Sequence, residues 1–327
     1  NFRAMYELYL SQNNLGTKAE AEKIYEKMYE SMHANKTQTH LEMAIGYGKA
    51  GFYTEAIDLL TAYIEKYQDP YPLLYYYLGY LYGKQGKTNQ ASNYYQTASQ
   101  KSVHLCFPFR IEMIEVLENA LKENSNDAHA HYYLGNIYRY YEQIEKAINH
   151  WETTIRLDTG NELAYRNVGL AYARFQNDLQ KGISNLEKAV SIDTKDPRII
   201  TELDRLYAKA QASPEKRLNF MIAHKKAVQT WEDDAGTYRL VKLYILNDRL
   251  EKAIKILNNH HFRRWEGGSG IHKEYVNAYV LRGKKRMEAQ SYSKAVEDFR
   301  QALRYPKNLE DGKSYFGGPE SMVYYYL

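Results

Sequence analysis

Tyr71–Val103 reads YPLLYYYLGYLYGKQGKTNQASNYYQTASQKSV. Tyr75, Leu78, Gly79 and Tyr82 are spaced 3, 1 and 3, which places them on one face of a helix. Ala91, Tyr95 and Ala98 follow at spacings of 4 and 3, again one face. Between the two runs Gly86 suits the left-handed backbone that ends a helix, and Thr88 or Asn89 suits the cap of the next. Two helices joined by so short a turn must lie antiparallel and close. Gly79 and Ala91 are small enough to sit at the crossing, and Leu78, Tyr82 and Tyr95 fill the groove beside it.

One such pair cannot bury its own apolar face and needs neighbours, so the spacing should recur. It does. Leu134-Gly135, Tyr138, Ala147 and Trp151 repeat it, as do Val168-Gly169, Tyr172, Leu186 and Ala189. Met43-Ala44, Tyr47, Ala56 and Leu60 show it with Gly51 in the turn. Tyr244, Ala253 and Leu257 show it later, and Gly283, Ala295, Phe299 and Ala302 later still. Where it is cleanest the period is about 34 residues, and the chain resembles a tetratricopeptide repeat array over nearly its whole length. The expectation is an all-α, right-handed solenoid of antiparallel helix pairs, about eight repeats with one extra helix. Its N-terminal repeats would span residues 1–103, an inserted helix 104–127 and the C-terminal repeats 128–327, in one continuous array.

A solenoid core grows linearly with length, so the 327 residues need not split into two globules. The 44 basic and 40 acidic residues leave a formal charge of +4, too small to imply nucleic acid or a membrane surface. No apolar run is long enough to span a bilayer. The single cysteine, Cys106, forms no internal disulfide framework and fits a reducing, cytoplasmic compartment. The 34 tyrosines read mainly as groove fillers with hydroxyls reaching water. Neither end reads as a polar cap, and a piece of a longer polypeptide is expected.

Taken in order, Asn1–Leu10 with Lys18–Met32 and Thr37–Gly48 with Tyr53–Tyr67 precede the quoted pair. His104–Asn126 breaks the period: Pro108 should open an extra helix with Ile111, Ile114, Val116, Leu117 and Leu121 on its apolar face. Ala128–Asp158 and Glu162–Asp193 are clean repeats. Pro197–Gln211 pairs with a long helix, Pro214–Trp231. Gly236–Leu246 pairs with Leu250–Asn259, and Ile271–Ala289 with Ser293–Leu303. Three irregular stretches, CFPFR at Cys106–Arg110, HHFRRWEGGSG at His260–Gly270 and YPKNLEDGK at Tyr305–Lys313, together resemble a bacterial family of unknown function. In that family a tetratricopeptide array follows a β-rich, galactose-mutarotase-like domain. The resemblance implies an accessory or scaffold region of a carbohydrate-related protein.

Few residues suggest chemistry. His260, His261 and Glu266 are metal-capable, but adjacent histidines rarely share one ion, and a loop packed by Phe262 and Trp265 is the plainer reading. His261, Trp265 and Glu266 are kept as a loop candidate, with no metal and no cofactor expected. Gly267, Gly268 and Gly270 lack the strand and the Lys-Ser/Thr of a phosphate loop. Cys106 has no base held by a third group. No catalytic constellation is read, and the chain is expected not to be an enzyme.

In this architecture the first helix of each pair lines the concave surface. The register places Tyr76, Tyr77 and Tyr80 there, then Tyr132, Tyr133, Asn136 and Arg139, then Arg166, Asn167 and Arg174, then Arg198 and Arg205. Arginine pairs with carboxylate or phosphate in a fork, and tyrosine adds flat contact area. Asn136, Asn167 and Arg198 resemble part of the carboxylate clamp of chaperone-binding tetratricopeptide domains. Tyr132 and Glu202 stand where that clamp has basic residues. The expected function is a non-catalytic protein-interaction scaffold whose groove takes an extended anionic peptide. A solvated face bridged to Glu202 and Asp204 is the plain alternative, and self-assembly into a homo-oligomer a further one.

Overall fold

The protein, seen in a computed structural model, is described at residues 1–32, 36–68, 71–229, 234–263, 270–310 and 321–326. These residues form helices and no strand. They divide into two compact units, Asn1–Thr159 and Gly160–Leu327. In the first, α1 (Phe2–Asn14) pairs with α2 (Lys18–Ser31), α3 (Lys36–Lys49) with α4 (Tyr53–Tyr67) and α5 (Pro72–Lys84) with α6 (Thr88–Ser99). A single helix α7 (Glu112–Glu123) then precedes the pair α8 (Ala128–Tyr140) and α9 (Ile144–Leu157). In the second unit α10 (Glu162–Phe175) pairs with α11 (Leu179–Ile192). There α12 (Pro197–Lys209) is followed by α13 (Pro214–Ala223) and a short α14 (Lys225–Gln229). The pairs α15 (Ala235–Leu246) with α16 (Leu250–Asn259) and α17 (Ile271–Glu288) with α18 (Tyr292–Ala302) follow, then α19 (Ser321–Tyr326). These are tetratricopeptide-type helix pairs, eight among the described residues with α7 as the extra helix.

Each pair is reversed by one residue with positive φ. Gly16, Gly51 and Gly86 serve the first three, at φ of 80°, 85° and 73°. Glu142, Asn177, Gln211, Asp248 and Gln290 serve the others, at φ between 53° and 60°. Only the first three are thus free of the Cβ clash that makes this conformation costly for other residues. Side-chain caps appear at Asp127, Asn161, Asp178, Asp196 and Ser213. In the quoted stretch neither Thr88 nor Asn89 is the cap. α6 begins at Thr88 after Lys87, which makes no side-chain cap bond.

The close crossing follows the sequence register. A Cβ built on Gly79 would lie 2.6 Å from the Tyr95 ring, one on Gly135 2.5 Å from Trp151, and one on Gly283 2.6 Å from Phe299. The large residue of each second helix therefore sits directly on the glycine of the first. Several tyrosine hydroxyls tie one helix to another through partly buried bonds: Tyr47 donates to Glu7 at 2.6 Å, Tyr138 to Glu118 at 3.3 Å and Tyr207 to Glu187 at 2.7 Å.

Two helix boundaries also differ. Pro108 does not open α7. Residues 105–111 alternate instead, with Leu105, Phe107, Phe109 and Ile111 exposed while Cys106 and Pro108 are buried, and the helix starts at Glu112. Its buried face is Met113, Val116, Leu117 and Ala120. The long helix expected at Pro214–Trp231 ends at Ala223 and resumes at Lys225. The His224 imidazole bonds back to the Phe220 carbonyl at 3.0 Å, and the redirected α14 lays Val228 against Gly236, where a Cβ would be 2.5 Å away.

Candidate functional site

In the first unit the inward tyrosines of α5 are covered by α7, which packs on that helix. Lys49 pairs with Glu112 and Lys84 with Glu115, each at 3.0 Å, stitching α7 to α3 and α5. Tyr76 is fully buried, and its hydroxyl donates to both carboxylate oxygens of Asp127 at 3.0 and 2.8 Å. Asp127 in turn caps α8 by accepting from the Ala130 amide at 3.0 Å. Tyr133 is fully buried against the Tyr76 ring, and Tyr132 is 3% exposed. These three rings are core, not groove lining. The expected register took no account of a helix inserted over the α5 face. Tyr80 remains half-buried, stacked on Tyr77, beside a 270 Å³ hollow between α5, α6 and α7. Asn136 accepts from the Trp151 indole at 3.0 Å, and Arg139 is half-buried.

In the second unit Arg166 grips Glu202 through two bonds, at 2.7 and 2.5 Å, joining α10 to α12. A third, longer bond at 3.4 Å reaches Asn167. Arg198 pairs with Asp196, its own helix cap, at 2.8 and 3.2 Å. Arg174 and Arg205 are exposed and have no carboxylate partner among the described residues. Asp204 does not lie on a solvated face. It is fully buried and neutralised by Arg217 at 2.9 and 3.0 Å and Arg239 at 2.7 Å. A carboxylate so far inside needs charged, hydrogen-bonded partners. Arg217 follows 13 residues later and Arg239 35 residues later, each on another helix, and spacing did not reveal either.

The loop candidate is only partly described, because Trp265 and Glu266 lie outside the described residues. His260 bonds Asp234 at 2.6 Å, and Asp234 also accepts from the Arg263 amide at 2.9 Å. Asn308 holds the other side, donating to the carbonyls of Leu257 and His260 at 2.9 and 2.7 Å. Phe262 is buried and His261 is exposed, 3.4 Å from Glu310. Cys106 is buried, and that burial pushes its thiol up to about 12, where little thiolate exists at neutral pH. Among the described residues no three His, Cys, Asp or Glu side chains gather as a metal ion would require, and no helix is long and apolar enough to cross a membrane.

Sequence reasoning missed two features. One is the exposed apolar row of Leu105, Phe107, Phe109 and Ile111, next to Tyr140. Its period-2 alternation is visible in the sequence, where only Pro108 onward is expected to be helical. The other is a basic hollow between α14, α15 and α16, whose lysines come from separate elements.

No known protein-family profile matches the chain. Among solved structures it is similar to YrrB, described as a TPR protein with an unusual peptide-binding site, at 17% identity. That match covers 57% of this chain and 90% of that one, with a TM-score of 0.42. The C-terminal part of a TPR repeat-containing protein from Cytophaga hutchinsonii is 19% identical, over 82% of this chain and 98% of that one, with a TM-score of 0.42. A tetratricopeptide repeat protein from Parabacteroides merdae is 18% identical, over 84% and 97%, with a TM-score of 0.35.

Proposed function

We propose that the chain is a non-catalytic protein-interaction scaffold, and that the α10/α12 face of the second unit takes an extended anionic peptide. The observation behind this reading is a surplus of cations. Arg166 is paired with Glu202 and Arg198 with Asp196, while the exposed Arg174 and Arg205 have no carboxylate partner among the described residues. An incoming carboxylate gains a fork partner in either guanidinium. Asn167, bonded to Arg166 at 3.4 Å, adds an amide on α10. In the first unit Tyr80, Asn136 and Arg139 are the groove residues that keep exposed surface. The test is fluorescence anisotropy with a labelled glutamate-rich peptide. Arg174→Ala and Arg205→Ala should each weaken binding about 1.5–5-fold, the range for one exposed ion pair. Unchanged affinity in the double variant, with helicity intact, would sink the assignment.

A second reading, self-assembly, is favoured by the Leu105–Ile111 row. Leu105 is 84% exposed and Phe107 65%, and contiguous exposed apolar groups of this kind mark contact surfaces. A second copy of the chain is the occupant proposed. A concentration-dependent mass abolished by Phe107→Ser supports it, and a monomer at all concentrations refutes it.

A further inference from the structure

Three lysines, Lys225 from α14 and Lys252 and Lys255 from α16, line one open hollow of 440 Å³ in the second unit. Lys252 and Lys255 are three apart on one helix and so share a face. Gln229 and Asn259 add amides, and the nearly buried Tyr244 ring stands 5.9 Å from the Lys252 ammonium. No carboxylate lines the hollow among the described residues. His260, which also lines it, is bonded to Asp234 at 2.6 Å, while Glu251 pairs with Arg282 at 2.6 Å and Asp248 with Lys285. None of the three lysines has an ion-pair partner among the described residues. Three like charges lining one concavity repel each other, and an anion entering it offsets that repulsion.

We propose that this hollow binds the phosphate group of a phosphorylated segment of a partner protein. This goes beyond the α10/α12 reading and uses none of its residues. Compact ammonium charges converging from two helices suit a compact dianion with three equivalent acceptor oxygens. A lone carboxylate is better matched by the planar fork of arginine, which the hollow lacks. The volume falls within the usual range of ligand sites and admits a phosphorylated side chain with its flanking backbone.

The experiment uses the full chain and three labelled peptides that differ only at a central residue: phosphoserine, serine or glutamate. Anisotropy is read at low and high salt, with inorganic phosphate as competitor. The phosphoserine peptide is expected to bind, to be displaced by phosphate and to weaken as salt rises. Lys225→Gln, Lys252→Gln and Lys255→Gln should each weaken it about 1.5–5-fold, and the triple variant should abolish it. Circular dichroism of the triple variant checks that its helices persist. Arg174→Ala with Arg205→Ala should leave phosphopeptide binding unchanged, which separates this site from the α10/α12 face. Equal binding of the serine and phosphoserine peptides overturns the proposal. So does no phosphopeptide binding, full binding by a folded triple variant, or an oligonucleotide that binds the same lysines more tightly than the phosphopeptide.

Discussion

A methyl group at position 135 would be built 2.5 Å from the Cδ1 and Nε1 atoms of Trp151 and 3.0 Å from its Cε2. Trp151 is 3% exposed, and its indole N–H donates to Asn136. To restore ordinary contact the ring must retreat by about 1 Å or α8 and α9 must part, and either movement strains the hydrogen bond. Overpacking of this kind costs about 1–3 kcal/mol, and the weakened hydrogen bond adds about 0.5–1.5 kcal/mol. Alanine recovers about 1 kcal/mol of helix propensity over glycine. Gly135→Ala should therefore destabilise by about 0.5–3.5 kcal/mol. Gly83 supplies the contrast, because a Cβ there meets only the Ala91 methyl at 3.9 Å. Gly83→Ala should be neutral or stabilising by up to about 1 kcal/mol. Urea denaturation followed by circular dichroism measures both, and hydrogen exchange at the α8 and α9 amides localises the first. If Gly135→Ala proved as stable as the parent, the pairing of first-helix glycine with second-helix aromatic would not be what closes the repeat.

Gln290→Gly should raise the urea midpoint, since the residue sits at φ 57° where a side chain costs about 1–2 kcal/mol; a lower midpoint would show that its side chain contributes more than the backbone strain. His150 should make stability fall in mild acid. Its ring nitrogen lies 2.9 Å from that of His131, which itself donates to the Ser125 carbonyl at 3.3 Å, so His150 is the donor between the two rings. Burial first, then His131 and Lys146, lower its pKa to about 4. The unfolded chain takes up this proton near the usual histidine value of about 6.5 and the folded chain only near 4. Stability is therefore intact above about pH 6.5 and declines as pH falls towards 4. Thermal melts across that window should show the decline, and His150→Gln should flatten it.

Repetition made the fold legible. The Leu-Gly, Tyr, Ala and large-residue spacing recurs, so each unit confirmed the next, and Leu250–Asn259 matches its helix at both ends. The irregular parts were legible only in outline. Nothing in the composition of residues 106–110 distinguishes an irregular run from a helix start, because alternation and helical spacing overlap in so short an apolar stretch. The candidate site was half legible. Arg166, Arg198 and Arg205 lie on first helices as expected, and Glu202, which the sequence suggests as a bridging partner, does pair with Arg166, whereas the Arg198 partner Asp196 was not foreseen.

From the sequence alone came the helix pairs, their turns and the glycine crossings, since these rest on contacts within some thirty residues and on local backbone sterics. Tertiary structure decided which side chains face water. It laid α7 over α5 and buried Tyr76 against Asp127, drew Arg217 and Arg239 onto Asp204, and gathered Lys225, Lys252 and Lys255 around one hollow. Those outcomes depend on how separate helices pack on one another, and hydrophobic periodicity along a single helix does not encode them.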